Sequence, residues 1–137
     1  QINEIMREIR YRGIGIAERK WVFGSLWFDT RNKATLIWSE ELKYWVRVDP
    51  ATVGQYTGLK DEHGKEIYEG DVIRSPLSED KTRPHRIFYH TGNAAFMGAL
   101  VDRKELCYLR LDQDWIYKFG KEVIGNIHDN PELLKNE

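Results

Sequence analysis

The chain has 137 residues, 41% of them hydrophobic and 12% aromatic, and its 21 basic and 22 acidic residues leave a formal net charge of −1. That length and apolar content suit one ordinary domain, or two small β modules sharing a core, and exclude a disordered composition. The near-neutral charge excludes a global field for DNA, RNA or anionic membranes, the single cysteine (Cys107) excludes an internal disulfide, and no apolar run approaches the roughly 18 residues that span a bilayer.

Residues 1–10 mix charges with isolated aliphatics and lack the apolar stretch of a secretory signal, and Met6 is a candidate initiator. With one cysteine, a reducing compartment, the cytoplasm, is expected. Glu8–Arg12 sets Ile9 and Tyr11 between charges, which predicts a half-buried strand broken by Gly13 and Gly15. Trp21–Phe28 reads as a strand kinked at Gly24-Ser25. The turn chemistry of Asp29–Lys33 closes it as a hairpin onto Ala34–Trp38. Tyr44–Val48 alternates Tyr44, Val46 and Val48 against Trp45 and Arg47, and Asp49-Pro50 ends that strand before one helical turn over Pro50–Val53.

Gln55–Leu59 leads into the polar turn Lys60–Lys65, where Gly64 is placed for positive φ. Asp61 is expected to cap that turn. Glu69-Gly70-Asp71 then feeds Val72-Ile73, with the aspartate expected to bond nearby backbone amides. Ser75–His85 has no period and reads as an exposed loop. Short strands follow at Arg86–His90, Ala94–Val101 and Leu106–Leu111, the last with Cys107, Leu109 and Leu111 facing inward. Asp112-Gln113-Asp114 is read as a turn into a further strand at Trp115–Phe119, ahead of Glu122–Ile127. Asn130-Pro131-Glu132 has the N-cap, proline and acid of a helix start. The expectation is a mostly β fold, a small barrel or sandwich with one or two short helical turns.

Catalytic signatures are missing. Glu66, Glu69 and Asp71 cluster near His63, but strand alternation separates the glutamates and His63 sits on a turn, so a solvated surface is preferred over a metal site. The four histidines (His63, His85, His90, His128) lack metal spacing, and Cys107 reads as a packing thiol. Gly13-Ile14-Gly15 has neither the third glycine nor the strand-to-helix setting of a dinucleotide site, and there is no nucleophile elbow or phosphate loop. No cofactor or metal is expected.

Several segments together resemble the YopX family of bacteriophage and prophage proteins. They are Met6–Gly13, Trp21–Leu26, Val53–Asp61 running on to Gly64–Ile73, and Glu122–Leu134. The resemblance implies a mostly β fold, with residues 1–54 as an N-terminal β region and 55–137 as a C-terminal region carrying an SH3-like barrel, packed as one unit. It implies a phage or prophage origin and supplies no catalytic residues.

Two sets of binding residues emerge. Trp27, Trp38 and Trp45 exceed what a small barrel can bury, so with Tyr56 they are candidates for contact with a protein partner or a second copy. Lys81, Arg83, His85 and Arg86 form the one compact basic run, a candidate nucleic-acid contact beside Phe88 and Tyr89. The favoured reading is a non-enzymatic binding or adaptor domain, ahead of a nucleic-acid-binding module using residues 81–86 and of a metal-dependent enzyme.

Overall fold

A computed structural model describes residues 6–76, 84–101 and 108–134. The strands are β1 (Tyr11–Ile14), β2 (Trp21–Asp29), β3 (Ala34–Ser39), β4 (Trp45–Arg47), β5 (Gly54–Lys60), β6 (Glu66–Tyr68), β7 (Asp71–Arg74), β8 (His85–His90), β9 (Ala95–Leu100), β10 (Tyr108–Arg110) and β11 (Glu122–Asn126). One short helix, α1 (Gln113–Lys118), precedes β11, and 3-10 turns occupy Pro50–Thr52, Thr91–Asn93 and Pro131–Leu134. The chain forms two compact units, Gln1–Gly58 and Leu59–Glu137, so β5 begins in the first and ends in the second.

In the first unit the antiparallel strands run β4-β3-β2-β1-β5, and β6 follows β5 in the strand order. Asp29 builds the β2–β3 turn by accepting the amides of Arg31 and Asn32, and the Asn32 side chain holds its carboxyl below the ordinary carboxylate range. One face of the sheet carries the core of Val22, Ile37 and Val48, with Tyr11, Leu26, Val46 and Val53 packed against it. The sheet curls around that core: Ile16 N donates to Arg47 O, Asp49 N donates to Ile14 O, and Gly15 bridges to Val48.

Gly13 does not interrupt β1 as expected. It pairs with Val22 inside the strand, where a Cβ would meet Val48 Cγ2 at 3.1 Å and Ile37 Cδ1 at 3.2 Å. A glycine there lets the Val48 and Ile37 side chains pack directly against the strand. Gly24 answers a harder constraint, since a Cβ there would stand 1.7 Å from Trp38 O on the neighbouring strand.

The second unit contains the sheet β10-β9-β8-β7-β11, again antiparallel, with a register shift between Val123 and Gly125. Its core is Ile67, Ile73, Ile87, Leu111 and Ile116, joined by Leu59, Phe96, Trp115 and Val123. β10 and β11 are the ends of the strand order, so among the described residues the sheet stays open rather than closing into a barrel.

Three local expectations change here. Residues Trp115–Phe119 are not a strand: Asp112 caps α1 by accepting Trp115 N at 2.8 Å, and Asp114 and Lys118 suit the two ends of the helix dipole. Trp115, Tyr117 and Phe119 imitate strand alternation, but the cap decides, and Ile116 is the residue buried. Leu109 is exposed rather than inward, because β10 is an edge strand, while Leu111 just beyond it is buried. Both ends of the Ser75–His85 segment are buried as well: Ser75 Oγ donates to Phe119 O, and His85 opens β8. Residues 77–83 and Cys107 lie outside the described residues.

Candidate functional site

Strand alternation sends Val22, Leu26, Ile37 and Val46 to the core and Trp27, Trp38 and Trp45 the other way. In β3, Ile37 is fully buried while Trp38 faces the opposite side. Across the ladder Ile37 pairs with Val46 and Leu26, whereas Trp38 pairs with Trp45 and Ser25. Val48 N donates to Thr35 O and Ser39 N donates to Tyr44 O, which fixes the hydrogen-bonded pairs on either side. Trp38 and Trp45 therefore occupy a non-hydrogen-bonded pair, the kind that brings side chains closest.

The result is a contiguous indole cluster. Trp45 meets Trp38 edge-on with centroids 5.6 Å apart and meets Trp27 at 5.5 Å, tilted by 57°. Trp38 is half-buried, but Trp27 is 48% and Trp45 43% exposed, so neither has been taken up by the fold. Edge-to-face packing holds the rings in place and leaves their outer surfaces to solvent.

Beside Trp45 a groove of about 450 Å³ opens between the β1–β2 turn and the β3–β4 turn, with Ile16, Trp21, Leu42, Tyr44 and Trp45 in its walls. A smaller hollow of about 200 Å³ shares Trp21, Leu42 and Glu41 with it and reaches Phe23. Glu18, Glu41, Lys20 and Arg47 supply charges of both signs around the larger groove. Apolar walls with a mixed polar rim are the composition of a binding cleft. Leu42, Tyr44, Ile16 and Phe23 did not stand out in the sequence as surface residues. Phe23 follows from alternation with buried Val22, but the turn residues Ile16 and Leu42 obey no period.

Tyr56 does not join this surface. It is 4% exposed, the Arg10 guanidinium lies 4.9 Å from its ring, and burial pushes its phenol above the ordinary tyrosine range. Of the basic run, the two described residues His85 and Arg86 lie on opposite faces of β8. His85 is buried with its ring edge-on to Trp115 at 5.6 Å, and Arg86 projects from the opposite face of β8, over Phe88. Lys81 and Arg83 lie outside the described residues.

The two aspartates of the 61–71 segment, Asp61 and Asp71, serve the backbone. Asp61 is 2% exposed; its Oδ1 accepts His63 N at 2.8 Å and Lys65 N at 2.9 Å, and its Oδ2 accepts Val123 N at 3.0 Å. Gly64, with φ of +84°, completes the turn that Asp61 organises. Asp71 Oδ2 accepts Tyr68 N at 2.7 Å, and the Tyr68 hydroxyl donates to Glu66. His63 turns away to Glu122, 3.0 Å from Nε2, and that bond raises its pKa above the ordinary histidine value. Among the described residues, no three His, Cys, Asp or Glu side chains converge to hold a metal.

The family model for the YopX protein matches residues 10–135. The chain belongs to the YopX family. Its match spans both units and nearly every element above. This YopX-family chain is also similar to a solved structure, the crystal structure of protein EF1440 from Enterococcus faecalis. The TM-score is 0.62 at 26% identity, covering 95% of this chain and 100% of that one. No curated protein matches the chain. Among the described residues, no helix is long and apolar enough to cross a membrane.

Proposed function

We propose that this YopX-family chain is a phage- or prophage-encoded, non-enzymatic binding domain that works in the cytoplasm of a bacterial host. The observation that carries the reading is the exposed indole cluster of Trp27, Trp38 and Trp45 beside the groove that Trp45 helps to wall. Large, rigid aromatics bury much area on contact and lose little conformational freedom, which is why they anchor interfaces. Of the acids near His63, Asp61 and Asp71 are occupied by backbone amides, Glu66 by the Tyr68 hydroxyl and Glu122 by His63 itself.

The reading of the C-terminal part as SH3-like draws support from the return of the last strand to the first of the meander. β11 pairs with β7, after a helical turn that follows β10. In an adaptor of this kind the scaffold positions the loops, and the partner meets the exposed aromatics.

The test is quantitative affinity capture from bacterial host lysate, comparing the wild type with Trp27→Ala/Trp45→Ala, with circular dichroism confirming equal β content. The expected result is a discrete set of proteins retained by the wild type and lost from the variant. Identical captured sets, or none with the wild type, would refute the proposal.

A further inference from the structure

We propose that the face of the second sheet opposite its isoleucine core binds single-stranded nucleic acid, a function separate from the partner surface of the first unit. Alternation along β8 places His85 and Ile87 toward the core and sends Arg86, Phe88 and His90 to the other side. The ladder carries that side across the sheet. Val72 of β7 pairs with Arg86, and Arg74 shares its face; Phe88 pairs with Met97, which pairs with Arg110 of β10. Three arginine positions thus share one sheet face with Phe88, and Arg86 lies over its ring. Val72 and Met97 are its buried positions.

None of the described positions on this face of β7, β8, β9 or β10 is acidic. The nearest acid in the ladder is Glu122 on β11, paired with Arg74 and bonded to His63. In a chain of net charge −1 this is a local concentration of one sign, and the partner must be anionic.

The ring chemistry narrows the partner further. The Arg86 guanidinium lies 5.1 Å from the Phe88 centroid, and His90 sits edge-on to Phe88 at 6.0 Å. His90 Nδ1 accepts Asn93 N at 3.0 Å, which fixes the imidazole plane. A pre-set aromatic and guanidinium on a sheet face offers stacking to an unpaired base, while Arg74 and Arg110 offer contacts to phosphates on either side. A duplex hides its base faces and gains nothing from Phe88, so the single strand is the form that fits.

Fluorescence anisotropy with a labelled 12-nucleotide single-stranded DNA tests this, with the matching duplex and inorganic polyphosphate as competitors. Two phosphate contacts, at Arg74 and Arg110, predict a log K against log salt slope of about −1.4. Phe88→Ala is expected to weaken binding about tenfold, as loss of one stacked base does. Arg110→Glu, at an exposed edge position, is expected to weaken binding and flatten the salt slope without lowering the melting temperature. Should Phe88→Ala unfold the protein, Phe88→Leu keeps the bulk, removes the π face and is expected to weaken binding too. No binding at low salt would overturn the proposal. So would binding unchanged in Arg110→Glu and the Phe88 variants, or equal competition by duplex or polyphosphate.

Discussion

The two units of this protein use the same antiparallel ladder and solve opposite problems. The first combines steric fit with the buried Thr52 hydroxyl, which accepts Ile14 N. Gly13 lets the Val48 and Ile37 side chains pack close to the backbone, Gly24 lets the Trp38 carbonyl approach where a Cβ would collide, and the aromatics are left on the far face. The second is held by buried polar staples. Asp61, Asp71 and Ser75 each lie within a few per cent of full burial; the aspartates bond backbone amides across turns, and Ser75 donates to the distant Phe119 carbonyl. The contrast separates scaffold from surface. The second unit's Asp61 and Asp71 are spent on folding, while the first unit's Trp27 and Trp45 are left nearly half exposed.

The largest expected effect comes from breaking the busiest staple. Asp61→Ala leaves three backbone amides, those of His63, Lys65 and Val123, without their acceptor in a buried site. At 1–3 kcal/mol per stranded donor, and with partial relaxation, a loss of about 4 kcal/mol is expected in urea unfolding. Asp61→Asn keeps an acceptor oxygen and should lose less.

Steric fit is tested by Gly24→Ala. The added methyl collides with the Trp38 carbonyl, so β2 and β3 must part or distort, at a cost of about 3 kcal/mol. Gly64→Ala would be a softer probe, since nothing lies within 4 Å of its Cβ and only φ opposes it.

The smallest effect is electrostatic. The bond to Glu122 raises the His63 pKa in the folded state, so its stabilising contribution is complete below the ordinary histidine pKa and is lost as pH rises through the raised value. Both groups reach solvent, so the visible signature is the titration itself. NMR of the His63 ring should show a midpoint above the ordinary value that falls in Glu122→Gln; an unchanged midpoint would remove Glu122 as the cause.

Much of this architecture was legible residue by residue. Asp29–Lys33, Pro50, Gly64 and Asp71 announce their turns because each supplies a property the backbone needs, whether a fixed φ, a positive φ or an acceptor. Period-2 alternation placed Val46 and Val48 inward and Trp45 outward. Legibility failed where two signals competed in a short window. At Trp115–Phe119 a capping aspartate outweighed an alternating aromatic pattern, and at Leu109 an edge position overrode its apolar character. The candidate site was half visible. The surplus of tryptophans is a matter of composition, but their meeting on one face depends on the register of β2, β3 and β4, which no local window encodes. Tyr56 and His85 fell on buried strand positions for the same reason.

The central claim is that the tryptophan face is spare to folding. Urea unfolding of Trp27→Ala/Trp45→Ala beside Asp61→Ala tests it most directly. The prediction is that removing two large indoles, each nearly half exposed, costs less stability than removing the one buried carboxylate. A double-tryptophan variant destabilised as much as Asp61→Ala, or more, would make the indoles part of the scaffold and contradict the account.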